Sequence, residues 1–167
     1  EPLMQPAFAR SVLERCKEYG LETALDTTGY AAPEVIDSVA ELVDVFLFDL
    51  KLMDEAEHEK YTGALNTCIL RNFQALVAKG RRIVVRFPLI PGITNTPHNL
   101  NQMADFVKSV GGVRDVHVLP YHRSASDKYR RLNMLNRMEG IEPPTEGQIA
   151  AARHAFEQRG LNVLIGG

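Results

Sequence analysis

The sequence predicts an α/β fold in which an open parallel sheet, flanked by helices, forms a partial (β/α) barrel. Short apolar runs alternate with helical patterns along the chain, and such alternation is typical of parallel sheets with right-handed crossovers. A complete eight-unit barrel usually needs ~200 residues or more, so 167 residues favour an open or partial one. No linker or low-complexity segment divides the sequence, so residues 1–167 are predicted to form part of one domain.

Turn-forming residues mark the ends of the elements in the first half of the chain. Pro6 begins the first helical pattern and Gly20 ends it. The run over 43–50 is almost continuously apolar, as expected of a strand buried on both faces. In order, this half is predicted to hold a helix over 6–19, a strand over 22–26, a helix from Pro33, a strand over 43–50 and a short polar helix over 54–60.

Capping residues mark the helices of the second half. Asn66 is predicted to be the N-cap of a helix that ends at Gly80. Thr145 and Gln148 match a capping box at the start of the last helix. The predicted order after the helix at Asn66 is a strand over 83–90, a helix from Thr96 to Gly111, a strand over 115–120, an irregular stretch over 124–144, a helix over 145–159 and a strand over 161–165.

Composition argues against several classes of function. The formal net charge of −2, with no dominant basic face, argues against a nucleic-acid binder. No apolar run in this sequence approaches the ~20 residues that span a bilayer, and no signal-peptide pattern appears in it, so no membrane role is expected. Cys16 and Cys68 stand alone on predicted helices and are interpreted as buried structural thiols in a reducing cytoplasm.

Polar side chains follow four of the apolar runs, at the point where each predicted strand ends. Because the carboxyl ends of parallel strands meet at one edge of a sheet, we expect these side chains to share a pocket: Asp26, Asp49, Lys51, Arg86 and His122. Such a set suits a zwitterionic ligand, with its amine facing Asp26 and its carboxylate facing the basic groups. An amino-acid-like moiety is the simplest candidate.

Each of these residues also has a purely structural interpretation. Asp26 could cap the turn at Gly29, and Asp49 with Lys51 could form an isolated ion pair. The direction of the Arg86 side chain stays open. His117, within a strand, is expected to pack or to be exposed, and His58, His98 and His154, on helical segments, are expected to be solvated. Neither a phosphate-binding glycine motif nor a Ser or Cys nucleophile motif is present.

Six segments in a fixed order carry a more specific signal. They are Glu-Pro-Leu at 1–3, Leu-Asp-Thr-Thr-Gly-Tyr at 25–30, Phe-Asp-Leu-Lys at 48–51, Tyr-Thr-Gly at 61–63, Val-Arg-Phe-Pro-Leu-Ile-Pro-Gly at 85–92, and Leu-Pro-Tyr-His-Arg at 119–123 with Lys128 and Tyr129. In these segments the sequence resembles the glycyl-radical-enzyme activating enzymes. This branch of the radical S-adenosylmethionine superfamily includes pyruvate formate-lyase activating enzyme.

The resemblance implies a redox function for the complete protein. Such an enzyme holds a [4Fe–4S] cluster on the cysteines of a C-x-x-x-C-x-x-C motif, with S-adenosylmethionine bound to the cluster. Reduction by a flavodoxin or ferredoxin-type protein cleaves S-adenosylmethionine to methionine and a 5′-deoxyadenosyl radical. That radical removes a hydrogen atom from a glycine of a partner glycyl-radical enzyme.

The cluster motif is missing from this sequence. The chain is therefore expected to be the C-terminal part of a radical S-adenosylmethionine partial barrel, unable to bind the cluster and inactive alone. A start at Glu1-Pro2-Leu3 without a methionine adds to the expectation of an excised piece. Two other hypotheses stay open. One is a non-redox α/β barrel lyase or isomerase that uses Lys51, and the other is a non-catalytic module that docks a partner protein.

The resemblance also implies roles for individual residues. Asp26 is expected to contact the methionyl amine, while Lys51 and His122 hold the methionyl end and Arg86 supports the same group or the rim. Glu1 lies where the family binds the amine through a strand-edge backbone. A monovalent-cation site is implied at the Asp26 and Asp49 carboxylates and the carbonyls of Thr27 and Leu47.

Overall fold

A parallel five-stranded sheet is the centre of the fold. The computed structural model describes residues 1–123, 138 and 140–166. Within them the strands are β1 (Ala24–Thr27), β2 (Val45–Asp49), β3 (Ile83–Leu89), β4 (Asp115–Pro120) and β5 (Asn162–Ile165). All neighbouring pairs are parallel, and their order in the sheet is their order in the chain. This confirms the predicted α/β class with an open parallel sheet.

Helices connect the strands and cover one face of the sheet. They are α1 (Pro6–Glu18), α2 (Pro33–Ala40), α3 (Glu55–Thr62), α4 (Thr67–Ala78), α5 (Pro97–Val110) and α6 (Glu146–Glu157), and a short 3-10 turn spans Pro2–Met4. Each strand lies next to the one before it, always on the same side, so right-handed crossovers place successive helices on the same face of the sheet. The geometry is therefore that of a partial barrel rather than a doubly wound sheet.

The core lies between the helices and the side of the sheet that they cover. Phe46, Phe48 and Phe87 are fully buried on that side. The ring of Phe87 meets the ring of Phe156 from α6 with centroids 5.4 Å apart. Residues of β2 alternate between buried and half-buried, so the prediction of a strand buried on both faces was wrong. The helices of the described residues lie on one face, and among these residues the other face stays partly open.

Caps begin several helices as predicted. The Thr145 hydroxyl accepts a hydrogen bond from the Gln148 amide while the Gln148 side chain accepts one from the Thr145 amide, which confirms the capping box. Thr96 caps α5 by accepting a hydrogen bond from the Asn99 amide at 3.2 Å. Asn66 occupies the N-cap position of α4 but makes no side-chain cap, because its backbone is helical and its amide points to other partners.

Three side-chain predictions need correction or lie beyond what is described. Cys16 on α1 and Cys68 on α4 are free thiols but only half-buried. His58 is buried rather than solvated, and its Nδ1 lies 2.7 Å from the Ala64 carbonyl oxygen. Lys128 and Tyr129, together with most of the predicted irregular stretch, lie outside the described residues. No helix in the described part of the chain is long and apolar enough to cross a membrane.

Candidate functional site

The sheet face opposite the helices, called the inner face below, carries most of the predicted site. Strand register pairs Asp26 with Leu47, Asp49 with Arg86, and Arg86 with His117. Because side chains two residues apart in a strand point the same way, these five residues lie on one face. The direction of Arg86 is thereby settled, since its side chain shares the inner face with Asp26 and Asp49.

Four predicted residues form a connected set of charges at the carboxyl ends of β1 and β2 and beside the middle of β3. The Lys51 ammonium donates to Asp49 Oδ2 at 3.1 Å. Arg86 Nε lies 3.9 Å from the other Asp49 oxygen, Oδ1, and the Arg86 guanidinium also forms an ion pair with Asp26. We call these four residues, Asp26, Asp49, Lys51 and Arg86, the charge cluster. The structural alternative of an Asp49–Lys51 ion pair is thus also realised, but not in isolation.

One oxygen of the charge cluster lacks a hydrogen-bond donor. Asp49 Oδ1 is buried and accepts no hydrogen bond from any described residue. A buried acceptor without a donor costs about 1–3 kcal/mol relative to a satisfied one, so such atoms commonly mark a place that a ligand or water fills. The cluster holds two acidic and two basic groups, and together they can satisfy both ends of a zwitterion.

The Glu1 carboxylate is held at the carboxyl end of β1. It accepts hydrogen bonds from the Leu3 amide at 3.1 Å, the Thr27 hydroxyl at 2.8 Å, the Thr28 amide at 2.8 Å and the Thr28 hydroxyl at 2.6 Å. Partial burial raises the pKa of Glu1, but the hydrogen bonds from Thr28, Thr27 and Leu3 outweigh it and leave the pKa below its ordinary value. The predicted use of the Glu1 backbone in amine binding stays a prediction.

Three buried asparagines fix the loops that follow the strands. The Asn72 amide donates to the carbonyls of Gly29 and Ala31, after β1. The Asn66 amide donates to the carbonyls of Leu52 and Met53, after β2. Asn99 bonds to the same loop and to Thr94 after β3. Sequence reasoning missed these side-chain contacts, although Asn72 and Asn99 lie at helical spacing from the apolar residues Ile69 and Met103.

The structure does not join every predicted residue to the charge cluster. His122 is exposed beyond the end of β4, and no hydrogen bond or ion pair links it to the cluster among the described residues. His117, expected to pack or to be exposed, is half-buried on the inner face next to Arg86. No group of three or more His, Cys, Asp or Glu side chains in the described ranges could hold a metal ion.

The predicted monovalent-cation site stays a prediction. Its two carbonyls belong to Thr27 and Leu47, and Leu47 is the register partner of Asp26. The Arg86 guanidinium already pairs with Asp26 and lies near Asp49. A cation between the two carboxylates therefore competes with Arg86 for the same oxygens.

An apolar groove of about 560 Å³ lies elsewhere, between α1 and β1. Phe8, Val12 and Leu13 line its helical side, and Ala24 and Leu25 line its strand side. It contains no member of the charge cluster. Glu1 is the one predicted site residue among its lining residues, so the groove and the charge cluster are separate features of the described part of the chain.

The fold and the charge cluster define an α/β partial-barrel protein with its site at the carboxyl ends of parallel strands. No protein-family model matches the chain. The trans-4-hydroxy-L-proline dehydratase activating enzyme of Clostridioides difficile is 36% identical over 96% of this chain and 53% of its own length. The pyruvate formate-lyase 2-activating enzyme of Escherichia coli K12 is 34% identical over 100% of this chain and 57% of its own length.

A comparison with solved structures finds the same kind of protein as the comparison of sequences. A domain of a pyruvate-formate lyase-activating enzyme from Bacteroides vulgatus superposes with a TM-score of 0.83 at 29% identity, covering 100% of this chain and 94% of that one. The chain is homologous over nearly its whole length to the glycyl-radical-enzyme activating enzymes. It has the partial-barrel fold of radical S-adenosylmethionine proteins. The chain spans about half the length of the curated relatives it matches.

Proposed function

We propose that this chain is the C-terminal part of an activating enzyme for a glycyl-radical enzyme. The complete protein would cleave S-adenosylmethionine reductively and remove a hydrogen atom from a glycine of its partner, a pyruvate formate-lyase-like enzyme. Homology to activating enzymes at 34–36% identity supports the class of reaction. The chain covers about half of those relatives, and it is expected to be inactive without the rest of the protein.

The observation that carries the proposal is the charge cluster. S-adenosylmethionine ends in an α-ammonium and an α-carboxylate, and the cluster offers two carboxylates and two cations at one strand edge. A partly exposed ion pair contributes only about 0–1 kcal/mol, so the charges of a ligand can replace the internal pairs with little loss. The ammonium is assigned to Asp26 and Asp49, and Asp49 Oδ1, which accepts no hydrogen bond from the described residues, becomes an acceptor for it.

Lys51 and Arg86 are assigned to the carboxylate of the ligand. The Lys51 ammonium can turn from Asp49 to a ligand oxygen because its side chain is flexible and carries three donors. Arg86 offers several N–H donors in one plane, which fixes the direction of a carboxylate. His122 is retained as a second contact for the methionyl end, and it lies at the exposed end of β4.

The iron–sulfur cluster does not fit the residues of this chain. The sequence has two cysteines, Cys16 on α1 and Cys68 on α4, whereas the proposed cluster needs three thiolates. The cluster is therefore assigned to a part of the protein outside this chain, and it supplies the electron that cleavage requires. A flavodoxin or ferredoxin-type reductant, a glycyl-radical partner and a cytoplasmic location complete the proposal.

Lys51 also bears on the competing hypothesis of a lyase or isomerase. A Schiff-base mechanism needs a lysine nitrogen that can approach the carbonyl carbon of a substrate. Lys51 instead donates to Asp49 at 3.1 Å, within a cluster whose charges balance. This arrangement favours binding of a charged ligand over nucleophilic attack.

The proposal is tested by expressing the longer protein that contains this sequence and reconstituting it anaerobically with iron and sulfide. The reduced protein is then incubated with S-adenosylmethionine, and 5′-deoxyadenosine is quantified by chromatography. We expect one equivalent of 5′-deoxyadenosine for each glycyl radical formed on a pyruvate formate-lyase-like partner. Stoichiometric cluster incorporation without any cleavage would overturn the proposal, and so would a [4Fe–4S] cluster held by this chain alone.

A further inference from the structure

Asn99 connects two loops at the edge of the charge cluster. Its side-chain nitrogen donates to the Lys51 carbonyl at 3.0 Å and to the Thr94 carbonyl at 2.9 Å. Its side-chain oxygen accepts from the Met53 amide at 2.9 Å. The residue is 4% exposed. One buried amide therefore holds the backbone on both sides of Leu52, directly after β2, and the backbone after β3.

Asn99 is itself fixed in place by the start of α5. Its backbone amide donates to the hydroxyl of Thr96, the N-cap of α5, at 3.2 Å. Thr94, which receives one Asn99 donor, accepts from the Ile90 amide at 2.7 Å and donates to the Pro88 carbonyl at 2.6 Å. These bonds form a continuous path from the end of β3, through Asn99, to the backbone of Lys51. Neither loop can move without breaking hydrogen bonds that are buried inside the molecule.

We propose that Asn99 is a positioning residue that holds Lys51 in the charge cluster. The identity of the ligand that Lys51 binds rests on the proposed function. The backbone of Lys51 lies beyond the last residue of β2, so the sheet ladder does not fix it. Asn99 replaces that ladder with one acceptor and two donors. Only a primary amide of this length offers both, since a carboxylate has no donors and an aliphatic side chain has neither.

Loss of the amide has a specific consequence for the site. In Asn99→Ala, the Lys51 and Thr94 carbonyls and the Met53 amide all lose their partner. The loop must then rearrange to reach water. The Lys51 ammonium, which is 3.1 Å from Asp49 Oδ2, leaves its place in the cluster. Binding of a ligand carboxylate weakens while the reacting end of the ligand is unaffected.

The test compares Asn99→Ala with Thr23→Val, a matched control. Thr23 is also buried, and its hydroxyl lies 2.8 Å from the Leu42 carbonyl, at the amino ends of the strands and so at the opposite edge of the sheet from Lys51. Wild type and both variants are treated with an amine-reactive ester under conditions in which the same fraction of each protein is folded. Modification of Lys51 is then followed by peptide mass spectrometry. Hydrogen exchange of the Met53 amide is measured in parallel.

We expect Met53 exchange to quicken at least ~10-fold in Asn99→Ala because its hydrogen-bond acceptor is gone. We expect Lys51 modification to rise about threefold or more, and neither value to change in Thr23→Val. In the longer enzyme, the KM for S-adenosylmethionine should rise about 10-fold with a smaller change in kcat. Equal changes in both variants would mean a merely structural role and would overturn the proposal, as would unchanged Lys51 modification in Asn99→Ala.

If Asn99→Ala does not fold, Asn99→Asp provides a second test of the proposal. Its carboxylate can still accept from the Met53 amide but cannot donate to the Lys51 carbonyl. Lys51 modification should therefore rise while Met53 exchange stays slow, and the opposite pattern would contradict the proposal. If the wild-type enzyme cleaves no S-adenosylmethionine, the proposed function fails. Asn99 is still judged by Lys51 modification in the isolated chain.

Discussion

Gly29 shows how a single residue places the loop that follows β1, the strand that carries Asp26. It follows β1 with a backbone φ of +69°, and a Cβ added there would overlap the ring of Phe48. The Asn72 amide holds the Gly29 carbonyl at 2.9 Å and the Ala31 carbonyl at 2.8 Å. The loop is thus pressed onto the core at a point where any side chain is excluded.

Gly29→Ala should lower the free energy of unfolding by about 2–5 kcal/mol. A left-handed backbone costs an alanine about 1–2 kcal/mol, and overpacking against a buried ring adds about 1–3 kcal/mol. Gly63→Ala is the matched control, because its φ is +81° but no described atom lies within 4 Å of an added Cβ. Urea denaturation of both variants checks this. Equal losses in the two variants would show that the contact with Phe48 contributes nothing.

At the scale of elements, Asp44 ties α1, β1 and β2 together at the amino ends of the strands. Its carboxylate binds the Lys17 ammonium from α1 at 2.5 Å and the Thr23 amide before β1 at 2.7 Å. β1 and β2 begin two residues later than predicted. Just before them, the Thr23 carbonyl accepts from the Asp44 and Val45 amides, and the Thr23 hydroxyl lies 3.0 Å from the Asp44 carboxylate. The hydrogen bonds from Lys17 and then Thr23 lower the pKa of Asp44 to about 2.

Asp44 should make the stability of the chain depend on acid pH. Its folded pKa of about 2 lies below the ordinary value of 3.8, so its contribution is complete above the ordinary pKa. The contribution is lost as the pH falls from the ordinary value toward the folded one, because the unfolded chain binds the proton first. Melting temperatures of wild type and Asp44→Asn over this range check the prediction. The variant should lose less stability on acidification, and parallel curves for the two proteins would contradict the account.

At the scale of the whole molecule, alternation of apolar runs and helical patterns was enough to predict the sheet and the edge where its chemistry lies. The strand over 115–120 was predicted with the bounds that the structure has. Asp26, Asp49, Lys51 and Arg86 were expected to meet because parallel strands end at the same edge, and they do. Partners that depend on the third dimension were missed. Nothing in the local sequence around Asn99 reports that its amide meets Lys51, 48 positions earlier.

The inner face also shows what a single sequence leaves open. Whether His117 faces the helices or the inner face follows from the register that pairs it with Arg86. A one-residue shift of register would turn it to the other side. Sequence periodicity alone does not determine that register, so His117 was assigned to packing or solvent. The balance of charge around Asp49 likewise became visible only once Arg86 was seen to reach both carboxylates.

The measurement that tests the central claim most directly is a comparison of two ligands with wild type and Asp49→Asn. The affinity of the longer protein for S-adenosylmethionine is measured by calorimetry beside that for 5′-methylthioadenosine, which lacks the amino-acid end. If the charge cluster binds that end, wild type should prefer S-adenosylmethionine by about 100-fold, as expected for two charge-assisted hydrogen bonds of about 1.5 kcal/mol each. Asp49→Asn should lose most of that preference. An Asp49→Asn variant that keeps the full preference, or that weakens both ligands equally, would contradict the assignment of the charge cluster.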